Sequence, residues 1–146
     1  MNISYDGKLV DKILKIEKDE CLCKGIKRRF LLDIKLKNKD NEKPVVVIAM
    51  NPSKADEVVS DRTINKIIKY IYYNEKTKEY GRILILNLFV AYASNPEEIN
   101  NLINKSNFNY VAGNDKKEDD SVITNNDYII KTNTKDPLNK SPYSSL

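Results

Sequence analysis

The residues best suited to chemistry lie together in "MNPSKADEVVSDRTI", Met50 to Ile64. Asn51 carries a donor and an acceptor in one amide, which suits a nucleobase edge, another amide or an attacking water. Pro52 holds its own φ and keeps Asn51 extended, so the amide is positioned before any ligand arrives. Ser53 and Lys54 offer a hydroxyl and an ammonium to a phosphate, without the Gly-rich cradle of a P-loop. Asp56 and Asp61 add two carboxylates that could orient or deprotonate a water, or together hold a hard divalent cation. Asn87, inside the apolar run "RILILNLFV", is a second amide that must find hydrogen bonds if it is buried. The candidate catalytic residues are therefore Asn51, Asp56 and Asp61, with Ser53, Lys54 and Asn87 as ligand contacts. Each has a plainer reading: Asn-Pro-Ser is a common turn composition, and Asp61 serves equally well as a helix cap.

Other chemistry is excluded by composition. The chain has no histidine and two cysteines, so neither a Cys/His zinc site nor an imidazole-dependent mechanism can be assembled from it. Cys21 and Cys23, one residue apart in a predicted strand, would point the same way and make a poor disulfide framework. No cofactor is implied beyond the possible cation. A net charge of +4 permits contact with nucleic acid, but lysines and acids are interspersed without a dense basic block. The many Lys, Asn and Ile residues would follow equally from an A+T-rich coding sequence.

At 146 residues the chain is expected to form one domain, 1–146, around a single core. No apolar run approaches the roughly 20 residues of a membrane span. The start, "MNISYDGKLVDKILKIEKDE", does not read as a signal peptide, so a cytoplasmic protein is expected.

These residues need elements to position them. Leu9, Ile13, Leu14 and Ile16 fit either a short amphipathic helix or an irregular strand. Phe30, Leu32, Ile34 and Leu36 alternate with Leu31, Asp33, Lys35 and Lys37, the period of a strand with one buried face. Arg28 and Arg29, beside it, read as a solvated edge. "VVVIAM" is a continuous β-branched run, predicting a strand covered on both faces. Ile64, Ile67, Ile68 and Ile71 give a narrow helical stripe from Thr63 to about Asn74, capped by Ser60 or Asp61. Tyr70, Tyr72 and Tyr73 on it read as helix packing in preference to a base-stacking platform. Gly81 marks a turn into a second apolar strand, so strand, helix and strand form a βαβ unit. "SNPEEINNLINK" predicts another helix, capped by Ser94 or Asn95, with Pro96 in its first turn and Ile99, Leu102 and Ile103 inward. "YIIKT" is a possible last strand, and the remaining tail is rich in turn formers. The expected fold is α/β: a small, mainly parallel sheet flanked by helices, with an N-terminal antiparallel edge strand and a shortened C-terminal part. Ligands of such sheets bind beyond the carboxyl ends of the parallel strands, where Asn51 and Asn87 would meet.

The succession "MNPSKADEVVSDRTI", "GRILILNLFVAYASNPEEI" and "GND" resembles a bacterial and phage domain family of unknown function. Its core reads Asn-Pro-Ser-x-Ala-Asp, Asp-x-Thr-Ile, Asn-Leu-Phe, a Thr/Ser-x-Pro helix start and Gly-x-x-Asn-Asp. The resemblance runs from about Arg28 to Asp115, and by it Arg29, Asn51, Pro52, Ser53, Asp56, Asp61, Thr63, Asn87 and Asp115 fall on motif positions. It adds Arg29, Thr63 and Asp115 to the candidate ligand contacts. The Met-Asn-Pro strand end is also similar to the first motif of the mismatch-specific and single-strand-selective uracil-DNA glycosylases. There, a strand-end Asn positions the hydrolytic water in a parallel sheet flanked by helices. The family ordinarily continues with a strand ending in Trp-Gly, a helix and a closing His-Pro; this chain has no Trp, and "KSPYSSL" puts Ser141 where the His would stand. The resemblance then implies either a homo-oligomer whose partner completes the site, or a retained binding surface without the reaction.

Two functions follow as expectations. One is a nucleotide- or nucleic-acid-directed binding protein or hydrolase, N-glycosidase-like, acting on a glycosidic or phosphate bond. Its partner would be a nucleotide, a nucleobase or single-stranded nucleic acid. The other is a catalytically inactive phage or mobile-element protein that sequesters a nucleotide or blocks a host protein.

Overall fold

A computed structural model describes residues 3–21, 25–93 and 95–115, together with Asn125 and Ile129. The elements run β1 (Val10–Cys21), β2 (Ile26–Leu36), β3 (Asn41–Ala49), α1 (Arg62–Tyr73), β4 (Tyr80–Asn87), α2 (Pro96–Lys105) and α3 (Phe108–Val111). The four strands form one sheet in the order β1-β2-β4-β3. β1 pairs antiparallel with β2, β2 antiparallel with β4, and only β3 and β4 are parallel.

The sheet is therefore mixed and mostly antiparallel, which corrects the mainly parallel sheet flanked by helices. Among the described residues the three helices are short, and strands outweigh them. The expected edge strand proves to be half of a long hairpin: residues 10–21 are one irregular strand with three register shifts against β2. β2 then occupies the place beside β4 that a further parallel strand would have taken. A continuous apolar run does not state the direction of its neighbour, nor that both its faces are covered. β3 lies at the sheet edge with Val45, Val46 and Val47 only half-buried and Ile48 exposed.

One side of the sheet, through Leu32, Ile34, Leu36, Ile83 and Ile85, packs on Ile64, Ile68 and Ile71 of α1 and on Leu9 and Val10. Ile67 joins this cluster at its margin, as the stripe predicts. The other side buries Leu31, Leu84 and Leu86 with Val46 and Ile129 against them. Ile26, Ala91, Ile99 and Val111 make a smaller cluster that seats α2 and α3. Asn95 caps α2, accepting from the Glu98 N–H at 2.9 Å, and Glu97 and Glu98 sit favourably in its first turn. Gly81 is not a turn but the second residue of β4, where a Cβ would run into the Asn41 carbonyl oxygen. Ile129, in the expected "YIIKT" strand, has helical backbone; the rest of that segment, Cys23 and Ser141 lie outside the described residues. Among the described residues no helix is long and apolar enough to cross a membrane.

One irregularity in β2 decides the geometry of the site. Leu31 pairs with Glu17 and Arg29 with Lys18, so Phe30 has no partner on β1. Such a bulge adds one residue and turns everything beyond it to the opposite face. Arg29 consequently shares the α1 side with Leu32, while Arg28 points to the other. Neither is a solvated edge: Arg28 is 6% exposed and Arg29 1%.

Candidate functional site

The chain from Met50 to Asp61 leaves the carboxyl end of β3 and returns to the start of α1 as a loop held by its own polar groups and by Tyr5 and Arg29 from outside it. Asp61 caps α1, its Oδ1 accepting from the Ile64 N–H at 2.9 Å, and its Oδ2 accepts from the Ala55 N–H at 2.8 Å. Asp56 Oδ1 accepts from the N–H groups of Val58 and Val59, each at 2.8 Å. Tyr5 donates its hydroxyl to the Asp56 carbonyl at 2.6 Å, and burial pushes that phenol well above its ordinary pKa. From beneath, Arg29 Nη1 donates to the carbonyls of Ala55 and Ser53. Burial pulls the Arg29 pKa down, and among the described residues no carboxylate forms an ion pair with it. Charge on the sheet is thus spent on fixing loop carbonyls.

This loop, α1 and the segment after β4 enclose a cleft of about 750 Å³. Its wall brings together Asn51, Ser53, Lys54, Asp61 and Thr63 of the predicted residues, and adds Arg62. Asn51 donates its Nδ2 to the Ala93 carbonyl, while its Oδ1 bonds to no described residue. Asp56 is turned instead toward an adjoining cleft of about 570 Å³, lined also by Lys18, Lys27, Arg28, Lys54 and Tyr92. Lys54 and Tyr92 belong to both walls.

Two predicted residues are not in the cleft. Asn87 is fully buried behind it, donating to the Arg29 carbonyl at 3.3 Å, so the two amides do not face one crevice. Asp115 accepts from Arg28 Nη1 at 2.7 Å and belongs to a different construction. There Arg28 also pairs bidentately with Asp19 at 2.7 and 2.6 Å, and its guanidinium lies 3.9 Å from the Tyr110 ring centroid. This clamp ties β1 and β2 to α3. Ser53 Oγ on the cleft wall, and Arg29 Nε and Asn87 Oδ1 behind it, are buried and make no hydrogen bond to a described residue.

Arg28, Tyr5, Tyr92 and Asn125 contribute without having been singled out for it. Asn125 is buried and donates to the carbonyls of Asn87 and Ala112, both at 2.9 Å, joining the end of β4 to the end of α3. The alternation of Ile26, Arg28 and Phe30 could have signalled that Arg28 is interior. Nothing local marks Tyr5 or Asn125, whose partners are distant in sequence. Among the described residues no group of three or more acidic or cysteine side chains could hold a metal ion. Asp56 and Asp61 line different clefts, and each carboxylate accepts from backbone N–H groups.

Burial works against the ionised form of Asp56, but the hydrogen bonds from Val59 and Val58, with the charges of Lys18 and Arg29, outweigh it and hold the carboxyl below its ordinary pKa. A depressed folded-state pKa stabilises the fold above the unfolded value, and that contribution fades as pH falls through the folded value. Asp56→Asn, which keeps the acceptor and removes the charge, is expected to melt below the wild type at neutral pH. The two melting temperatures should converge on acidification below the carboxylate range. A gap independent of pH would show that the charge contributes nothing.

The family model described as "Protein of unknown function (DUF1643)" matches residues 29–138. The chain belongs to the DUF1643 family. The match begins at Arg29, takes in the whole loop from Asn51 to Asp61, and continues beyond Asp115. No curated protein and no solved structure matches the chain.

Proposed function

We propose that this DUF1643 protein binds a nucleotide, with the phosphate in the cleft between the Asn51–Asp61 loop and the start of α1. The observation that carries this reading is Ser53 Oγ, a buried polar atom of a cleft-wall residue that makes no hydrogen bond to a described residue. Native proteins leave few such atoms, and those they leave beside a concave surface are suited to a ligand. Two cations, Lys54 and Arg62, and the positive end of α1 share the same wall. The volume of the cleft is within the range of small-molecule sites.

Binding is favoured over hydrolysis. Both oxygens of Asp61 are occupied and Asp56 serves its own turn, so neither predicted carboxylate stands free as a general base in the cleft. An N-glycosidase-like hydrolase is the second reading, favoured by one feature: Asn51 lines the cleft with an Oδ1 that bonds to no described residue and is able to position water. Retained binding without turnover, as in a sequestering protein of a phage or mobile element, suits the same geometry.

A thermal-shift series with nucleosides, nucleoside monophosphates and inorganic phosphate tests the proposal. Saturation at a hundredfold excess over Kd stabilises the fold by about 2.7 kcal/mol, a rise in Tm of about 5 to 10 °C for a domain of this size. Ser53→Ala and Lys54→Glu are expected to weaken nucleotide binding at least tenfold. If no nucleotide raises Tm, the reading fails. Release of free base that disappears in Asn51→Ala would move the assignment to the hydrolase.

A further inference from the structure

α1 carries a second surface that the cleft does not use. Its apolar stripe, Ile64, Ile68 and Ile71, is buried against the sheet. The opposite face presents Arg62, Lys66, Lys69, Tyr70 and Tyr73, all exposed. No acidic residue occurs anywhere in the helix. Elsewhere the signs alternate, as in β1, "VDKILKIEKDEC", where Lys15 pairs with Glu17 at 3.0 Å. Arg62, Lys66 and Lys69 form no ion pair with a described carboxylate.

Of the three tyrosines expected to be packed, Tyr72 is half-buried against the core, but Tyr70 is 66% exposed and Tyr73 62%. Only Tyr72 is tied down, donating its hydroxyl to the Lys37 carbonyl at 3.0 Å beneath the Lys39 ammonium. The Tyr73 ring meets the Tyr72 ring edge-on at 5.0 Å, which braces it while leaving it exposed. Two exposed rings among unpaired cations, on one rigid helix, are the parts of a surface that tracks a phosphate backbone and stacks bases.

We infer that single-stranded nucleic acid is the ligand: it lies along the exposed face of α1, with one nucleotide in the cleft where Arg62 and Thr63 begin the helix. This rests on the nucleotide reading of the cleft and names its substrate class. Successive positions from Arg62 to Tyr73 rise about 16 Å along the helix, so the track continues directly from the cleft wall. Duplex fits poorly, because its bases are stacked on one another and offer exposed rings nothing to stack on. A lipid surface fits poorly too, since the apolar stripe that would insert is already buried.

The test uses the full chain, a fluorescein-labelled oligothymidylate, the same sequence as duplex, thymidine monophosphate and phosphatidylserine vesicles. The oligonucleotide is expected to bind at least tenfold more tightly than the mononucleotide. Tyr70→Ala/Tyr73→Ala should weaken oligonucleotide binding by about tenfold or more. Lys66→Glu/Lys69→Glu should weaken it similarly and reduce the slope of log K against log salt by about 1.4. Both double variants alter exposed positions and should retain the wild-type Tm and mononucleotide affinity. Equal affinities for oligonucleotide and mononucleotide, indifference to all four substitutions, equal binding of duplex, or binding of vesicles in place of the oligonucleotide would each overturn the inference. Oligonucleotide binding that depends on α1 while the mononucleotide fails to bind supports the helix track and removes the cleft reading, so the two failures are distinguishable.

Discussion

Arg29→Ala is expected to lower the unfolding free energy by about 4 kcal/mol, the sum of a large core cavity and of carbonyls stripped of their donor. It is also expected to abolish ligand binding in the cleft. Arg29 is essentially inaccessible and reaches from β2 to the carbonyls of Ser53 and Ala55, while its own carbonyl accepts from Asn87. Truncation removes the support of the loop from below and leaves polar groups facing a void. The loop would still be pinned at Asp61 and by Tyr5, so the helix cap should survive while the stretch from Asn51 to Ala55 loses its shape. Urea unfolding gives the stability, and amide exchange at Ser53 to Asp56 locates the loss. A change below about 1 kcal/mol, within the range of ordinary surface substitutions, would mean that the loop does not depend on this guanidinium.

Gly113→Ala is expected to cost about 3 kcal/mol, combining a left-handed backbone with an overpacked interior. Gly113 has φ +76°, and a Cβ there would lie 2.7 Å from Asn125 Cβ, 2.8 Å from Val90 Cγ2 and 2.9 Å from Phe30 Cε1. None of these can swing away cheaply: Val90 is fully buried, and Asn125 is held by three carbonyls. Gly113 also accepts from the Asn125 N–H at 2.9 Å, so displacing it loosens the junction between β4 and α3. The measurement is the shift in urea midpoint at unchanged m-value. Wild-type stability would show that the turn tolerates a side chain. Since this residue lies away from the cleft wall, nucleotide affinity of the folded fraction should be retained.

How far these features could be read beforehand depended on their range. The helix over Thr63 to Asn74, its Asp61 cap and the Asn95 cap with Pro96 behind it are local. Their hydrogen bonds span three residues, and the signals sit within one turn. The gathering of Asn51, Ser53, Lys54, Asp61 and Thr63 was nearly as legible, because one short loop carries most of them. Asn87 was correctly marked as a buried amide in need of partners but assigned to the wrong surface. Strand direction gives the end of the sheet at which an amide lies, whereas its depth depends on what the neighbouring loop covers.

The sequence alone determined the strand and helix periods, the caps, the absence of imidazole chemistry and the polar loop that closes on α1, because each depends on residues within a few positions of one another. Only the tertiary structure decided that β2 lies antiparallel between β1 and β4, since an apolar run carries no record of its neighbour's direction. It alone placed the bulge at Phe30, which follows from the register of two strands and swaps the faces of Arg28 and Arg29. One extra residue in a pairing sends one guanidinium beneath the loop and the other into the clamp with Asp19 and Asp115. The local alternation can mark Arg28 as interior, but only the register of the two strands says which face each arginine takes.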